Sequence, residues 1–198
     1  AGASAVGLVG KMPSGPGPIG DDLIREIASR VPPPVATFLL TSETSAEEII
    51  RHHHRTFTNT IQIVDSPEKG TYTKLRSAIP SVKIVQVIHV IDEESINFAV
   101  SVSREVDALL LDSGNPNLKI KQLGGTGRVH DWNLSRQIRQ NAECPVFLAG
   151  GLNPGNVSQA IKEVNPFGID ICNGVRTEGK LDRKKLSEFI ANALNTRV

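Results

Sequence analysis

Seven times along the 198 residues, a short apolar run rich in β-branched side chains gives way to a stretch whose apolar residues recur every three or four positions. The runs are SAVGLVG (4–10), PVATFLL (34–40), TIQIV (60–64), VKIVQVIHV (82–90), DALLLD (107–112), CPVFLAG (144–150) and FGIDIC (167–172). Most are continuously apolar rather than alternating, as expected of parallel strands covered on their outer face. Between them, Leu23, Ile24, Ile27 and Val31 fall on one helical face, as do Val157, Ala160, Ile161 and Val164, and later Leu186, Phe189, Ile190 and Leu194. Ser45 and Glu48 form an S-x-x-E capping box, and Pro154 after Asn153 suits the first turn of a helix.

Strands alternating with helices dictate a parallel sheet, either doubly wound or closed into a barrel. Units of roughly 25 to 35 residues with their loops concentrated after the strands suit a (β/α) barrel, whose site lies at the strand C-termini. The residues ending the runs are therefore the informative ones: Lys11, Thr41, Asp65, His89, Asp112, Gly150 with Gly151, and Cys172 to Gly174.

Charge adds little, because 22 Lys and Arg stand against 21 Asp and Glu. That balance gives no reason to expect nucleic acid or another polyanion, while a small phosphorylated ligand needs only local donors. Cys144 and Cys172 are too few for a disulfide scaffold and read as buried thiols in a reducing cytoplasm. No apolar run approaches the roughly 20 residues needed to span a bilayer, so no membrane role is expected.

Two glycine-bearing loops follow consecutive strands. AGGLNPGN brings an apolar run to a halt at Gly150 and Gly151, and DICNGVR runs from Asp170 through Cys172, Asn173 and Gly174. Each exposes backbone N–H groups where a strand hands over to a helix, which is a place to hold an anion. A third loop, QLGGTGRVHDW, contains Gly124, Gly125, Gly127 and Arg128. It can form a nest of N–H groups or a lid, with Arg128 over the ligand, or it is a surface turn capped by Asp131. Asp112 follows four apolar residues, so its carboxyl sits half desolvated at the mouth, either as a proton donor or as the cap of an Asx-type turn. His52, His53 and His54 point around one helix and read as a solvated face. His89 reads as a hydrogen-bonded loop histidine, Lys11 as an ordinary strand-end lysine, and His130 with Asp131 as a loop and helix cap.

LLLDSGNP, GGTGRVHDW, PVFLAGGLNPGNVSQAI and NPFGIDICNGVRTEGKLD, in that order, resemble the phosphoribosylanthranilate isomerase family, the (β/α)8 TIM-type barrels of tryptophan biosynthesis. The likeness covers nearly the whole chain and is most specific from about residue 107 onward. It implies an Amadori rearrangement of N-(5-phosphoribosyl)anthranilate to the 1-deoxyribulose phosphate, without a cofactor or metal, in the cytoplasm. Asp112 matches the family's general acid, and the amides of Gly150 and Gly151 with the loop from Asp170 through Gly174 match its phosphate ligands. Gln62 is the survivor of the fourth-strand pattern.

The departures are as informative as the matches. The family's first strand, reading roughly KICG with the general-base Cys, and its first helix are missing from the sequence as written, which opens AGASAVGL. A family Arg that meets the anthranilate carboxylate falls within SGPGPIG, where no Arg stands, and Cys172 and Asn173 replace serines. Cys172 then reads as a strand-end packing residue. The expectation is one barrel domain over residues 1–198, incomplete at its beginning, with two exposed edges and a gap in its core. Either the beginning was lost, or a homodimer partner or another chain covers the gap, or an altered strand order lets another segment close the sheet. A restored upstream strand is expected to raise the melting temperature. The rival readings are a phosphosugar-binding barrel without turnover and a different sugar-phosphate isomerase or epimerase.

Overall fold

The computed structural model describes residues 2–13, 17–115, 121, 123 and 129–196. Strands and helices alternate: β1 (Ala5–Val9), α1 (Asp21–Arg30), β2 (Ala36–Thr41), α2 (Ala46–Thr56), β3 (Thr60–Ile63), α3 (Thr71–Ala78), β4 (Lys83–His89), α4 (Glu94–Val102) and β5 (Ala108–Asp112). Then come α5 (Trp132–Asn141), β6 (Val146–Leu148), α6 (Val157–Val164), β7 (Gly168–Ile169), a 3-10 turn at Asn173–Val175, β8 (Arg176–Thr177), β9 (Lys180–Leu181) and α7 (Arg183–Leu194). The seven runs become β1 to β7, all parallel and adjacent in chain order. Because the order is strictly sequential, no rearranged segment closes the sheet, and among the described residues β1 and β7 each pair on one side only. The small β8–β9 hairpin has no counterpart in the sequence reading.

The central strands feed two cores. Ile61 and Ile63, Ile84 and Ile88, Leu109 and Leu111, and Val146 and Leu148 pack outward with the helices. The alternate phase, Val64, Val85, Val87, Ala108, Leu110 and Ala149, gathers on the inner face with Phe38, Leu40 and Phe147. Period-two geometry therefore puts Asp112, which continues the Ala108–Leu110 phase, on the inner face at the mouth. Curling is visible in the aromatics: Phe38 of β2 meets Phe147 of β6 edge to face, with ring centroids 6.3 Å apart. Four strand spacings in a flat sheet would separate them by about 19 Å. The sheet must wrap for those rings to touch.

The caps follow local chemistry with two adjustments. Ser45 Oγ accepts from the Glu48 N–H at 3.3 Å, but its own hydroxyl donates to Glu48 Oε2, so the glutamate does not close the box onto the backbone. Helix α6 starts at Val157 with Asn156 as N-cap, leaving Pro154 in the preceding turn rather than in the helix. At the other end of the chain, Phe189 is buried but Leu194 is 80 % exposed, so the last residue of that predicted stripe falls outside the core.

The three histidines correct the expectation most. His54 is exposed, whereas His52 and His53 are buried on the face of α2 that meets the sheet. The Thr41 hydroxyl donates to His52 Nδ1 at 3.0 Å, while Nε2 faces Asp21 Oδ1 at 3.2 Å and Arg55 Nε lies 2.5 Å from the other Asp21 oxygen. His53 Nε2–H donates to the Thr58 carbonyl at 2.8 Å. A side chain on Gly10 would strike the His52 ring, 2.5 Å from Cε1, so glycine at the end of β1 is what admits the imidazole. His52→Ala empties that space and leaves Thr41 without its acceptor; the expected loss is about 2–3 kcal/mol of stability, read as a lower urea midpoint at unchanged slope.

Candidate active site

One cavity of about 240 Å³ opens at the C-terminal ends of β5, β6 and β7. Asp112, Gly150, Gly151, Asp170, Cys172, Asn173 and Gly174 all line it, together with Ala149, Leu152, Asn153 and Ile171. Seven of the residues singled out in the sequence thus meet in one place. Gln62 is buried in β3 and does not line it. Gly124, Gly125, Gly127 and Arg128 lie outside the described residues. Two described residues of the same loop still anchor at the mouth: Lys121 Nζ lies 2.5 Å from Asp65 Oδ2, and Leu123 is buried against the inner core. Lys11 is exposed, and His89 Nε2–H donates to the Val64 carbonyl at 2.9 Å.

The glycine turn is built by its neighbours. Gly150 and Gly151 adopt φ of 80° and 65°, backbone that favours glycine. A Cβ on Gly150 would come within 2.9 Å of His130 Nδ1 and 3.0 Å of the Ser113 nitrogen, so the loops after β5 and β6 touch there. Asn156 Nδ2 donates to the Gly151 carbonyl at 3.0 Å and Asn153 Nδ2 does so at 3.3 Å, while the Asn153 N–H donates to Asn156 Oδ1 at 2.8 Å. These two asparagines, overlooked in favour of the glycines around them, hold the carbonyl side of the turn. No hydrogen bond among the described residues takes up the amides of Gly150 and Gly151. Since α6 begins only at Val157, the donors come from the glycine turn itself rather than from the helix end. Opposite it, Gly174 packs so tightly that a Cβ would lie 1.9 Å from the Leu152 carbonyl oxygen.

Two carboxyls share this rim. Asp112 is 8 % exposed; burial pushes its carboxyl above the usual range, against the N–H of Ser113, which donates at 2.7 Å, and the charge of nearby His89. The Ser113 side chain bonds the same carboxyl, so both of these contacts come from the residue that follows Asp112 in the chain. The Asp170 carboxyl is pushed up to about 6 by desolvation at the crowded rim and by the charge of Asp112, with the Ile171 N–H acting the other way. The residue itself is exposed along the unpaired flank of β7, and solvent there moderates the effect. Cys172 is exposed too, contrary to the packing role expected of it, and its thiol reaches Asn173 Oδ1 at 3.8 Å. Cys144 is half-buried, and burial raises its thiol. Among the described residues no group of three His, Cys, Asp or Glu side chains could hold a metal ion, and no helix is long and apolar enough to cross a membrane.

His130 supports the turn from below. Its Nε2 bonds Ser135 Oγ at 2.6 Å, while Asp131 caps α5 through the Asn133 N–H. Burial holds the His130 imidazole down, to about 4 against an ordinary 6.5, and depresses those of His52 and His53 as well. An unfolded chain therefore binds more protons than the folded one just below pH 6.5, so stability falls as the solution is acidified. The raised Asp112 and Asp170 act in the opposite sense, and Asp170, near 6, already does so in this window, but one carboxyl is outweighed there by three depressed imidazoles. Urea midpoints are expected to drop between pH 7 and pH 6, and His130→Gln should flatten part of that slope.

A profile of the N-(5'-phosphoribosyl)anthranilate isomerase family matches residues 21–192. N-(5'-phosphoribosyl)anthranilate isomerase 2 of Methanosarcina mazei is 36 % identical over 196 residues, spanning 98 % of this chain and 86 % of that one. Among solved structures, N-(5'-phosphoribosyl)anthranilate isomerase from Pyrococcus furiosus superposes with a TM-score of 0.80 at 28 % identity, covering 98 % of this chain and 89 % of that one. A phosphoribosyl anthranilate isomerase in complex with reduced 1-(o-carboxyphenylamino)-1-deoxyribulose 5-phosphate gives a TM-score of 0.76 at 27 % identity, covering 98 % and 88 %.

Proposed function

Because the chain belongs to the N-(5'-phosphoribosyl)anthranilate isomerase family, we propose that the cavity at the ends of β5 to β7 binds N-(5'-phosphoribosyl)anthranilate and isomerises it to the 1-deoxyribulose phosphate. The observation that carries this reading is the convergence of a buried carboxyl, Asp112, with the uncommitted amides of Gly150 and Gly151 on one cavity wall.

The substrate's phosphate sits at the glycine end. Amide N–H groups suit it because they are fixed donors that need no counter-charge and little reorganisation when the anion arrives. Gly174 lets the loop after β7 approach the loop after β6 closely enough for both to face one anion, and Cys172 and Asn173 complete that wall. With C5 anchored, the ribose lies toward β5. Asp112, its carboxyl's hold on a proton strengthened by burial, donates to the ring oxygen; the bond from C1 to that oxygen breaks and the nitrogen lone pair forms the iminium. Loss of the C2 proton gives the enolamine, which tautomerises to the ketose. Gln62 is buried in β3, in the phase of the inner face. The reaction is a step of tryptophan biosynthesis, and the reading includes a cytoplasmic location.

The direct test is conversion of freshly made phosphoribosylanthranilate by the purified protein, followed through the decay of anthranilate-type fluorescence. Turnover is expected. Binding of ribose 5-phosphate without turnover would favour the rival, a phosphosugar-binding barrel.

A further inference from the structure

We infer that Lys121, held by Asp65 just beyond the end of β3, receives the carboxylate of the substrate's anthranilate ring and so makes the site selective for an ortho-carboxylated aryl group. The inference rests on the isomerase reading and extends it from the sugar phosphate to the aryl end of the substrate. The residues that line the cavity all come from the ends of β5, β6 and β7 and the segments just after them. With the phosphate at the glycine turn after β6 and the reacting carbons beside Asp112 on β5, the aryl ring has to lie beyond that cavity, toward β4 and β3. It carries a second full negative charge, which a fixed cation at that place would stabilise.

Lys121 is placed for that charge. It belongs to the loop after β5, yet its Nζ lies 2.5 Å from Asp65 Oδ2, so it reaches past the end of β4. Around the rim the order is then glycine turn, Asp112, Lys121, spread over three strand spacings or about 14 Å. The substrate has the same order along its length: phosphate, reacting carbons, aryl carboxylate.

Asp65 is the positioning residue. It is 8 % exposed, its Oδ1 accepts from the Ser66 N–H at 2.8 Å, and its carbonyl accepts from Gln86 Nε2 at 3.0 Å. Gln86 is fixed in turn by the Tyr72 hydroxyl, which donates to Oε1 at 2.9 Å. The Lys121 side chain is 47 % exposed, so its ammonium stands between the buried carboxylate and the open mouth. An ammonium has three N–H donors, and a single one can hold Asp65 and a ligand oxygen together.

The floor suits an aryl ring. Leu123, within about 7 Å of Lys121 along the chain, is buried in the inner-face cluster with Val64, Val87 and Leu110, and Met12 packs against the same cluster. The other described cations of the rim are not equivalent. His89 gives its Nε2–H to the Val64 carbonyl, and Lys11 is exposed beyond β1, two strands further round from Asp112 than Asp65 is.

The test uses two stable probes, reduced 1-(o-carboxyphenylamino)-1-deoxyribulose 5-phosphate and the same compound with a plain phenyl ring. Both are titrated by calorimetry into the unaltered protein, Lys121→Met, Lys121→Arg and Asp65→Asn, with ribose 5-phosphate as the common reference. The unaltered protein is expected to bind the carboxylated probe about 30-fold more tightly than the phenyl one, the range of a charge-assisted hydrogen bond. Lys121→Met should shrink that ratio to within about threefold while ribose 5-phosphate binds as before, and Lys121→Arg should recover most of it. Asp65→Asn loosens the lysine without removing its charge and should fall between. In turnover, Lys121→Met should raise KM for phosphoribosylanthranilate far more than it lowers kcat. No preference for the carboxylated probe in the unaltered protein, an unchanged ratio in Lys121→Met, or equal losses for all three ligands overturns the assignment; turnover of phosphoribosylanthranilate by the unaltered protein then keeps the isomerase reading. Absence of that turnover together with no binding of either probe removes both.

Discussion

Asp112→Asn is expected to lower kcat about 1,000-fold, within the range that a positioned acid contributes, while ribose 5-phosphate binds as before. The amide has nearly the same size and keeps the hydrogen bond that Ser113 N–H makes at 2.7 Å, so the loop should hold its shape. What it cannot do is supply a proton. The same burial that raises the carboxyl's affinity for a proton also means that a charged Asp112 is strained in the folded state. Removing the charge should therefore stabilise the protein slightly near neutral pH, a trade between stability and activity common at catalytic positions. Activity within tenfold of normal would remove Asp112 from the role of acid.

Gly174→Ala should damage both binding and stability. Its Cβ would sit 1.9 Å from the Leu152 carbonyl oxygen, 3.0 Å from the Leu152 carbonyl carbon and 3.1 Å from Asn153 Cα, all backbone atoms that cannot rotate aside. The loops after β6 and β7 must separate, which moves the amide wall away from any phosphate. Overpacking of this kind costs about 3 kcal/mol, and ribose 5-phosphate affinity should fall about 100-fold. Gly20→Ala is the control, because a Cβ there meets nothing and its φ of −70° suits any residue. Its expected change is about 1 kcal/mol, the loss of a favoured N-cap residue, with no effect on ribose 5-phosphate affinity. Equal effects at the two glycines would mean that the close approach of the loops is unimportant.

The placement of Asp112 was legible because its cause is local. A strand has a period of two, so the phase of Ala108 and Leu110 decides which way the next-but-one residue points. The glycines were legible for the same reason: a pair of them halting an apolar run implies backbone that other residues resist. Asn153 and Asn156 stood in the same quoted stretch, yet their task appears only once the turn bends its Gly151 carbonyl back toward them.

The burial of His52 and His53 could not be read from adjacency. Which part of α2 faces inward depends on where β1 and β2 lie, and the space for His52 exists because a residue 42 positions earlier, Gly10, has no side chain. Composition likewise suggested two buried thiols, but Cys144 is half-buried and, among the described residues, β7 pairs on one side only, which leaves Cys172 beyond its end open.

The sequence by itself determined that seven strands and their helices form, in which order, and which strand-end residues face the mouth, because periodicity and backbone preference act over a few neighbouring residues. Only the tertiary structure decided which of those residues meet. Curling of the sheet, seen in the contact of Phe38 with Phe147, brings together groups that lie far apart along the chain. Desolvation and charge at that meeting point, rather than anything in the local sequence, shift the Asp112 and Asp170 carboxyls upward.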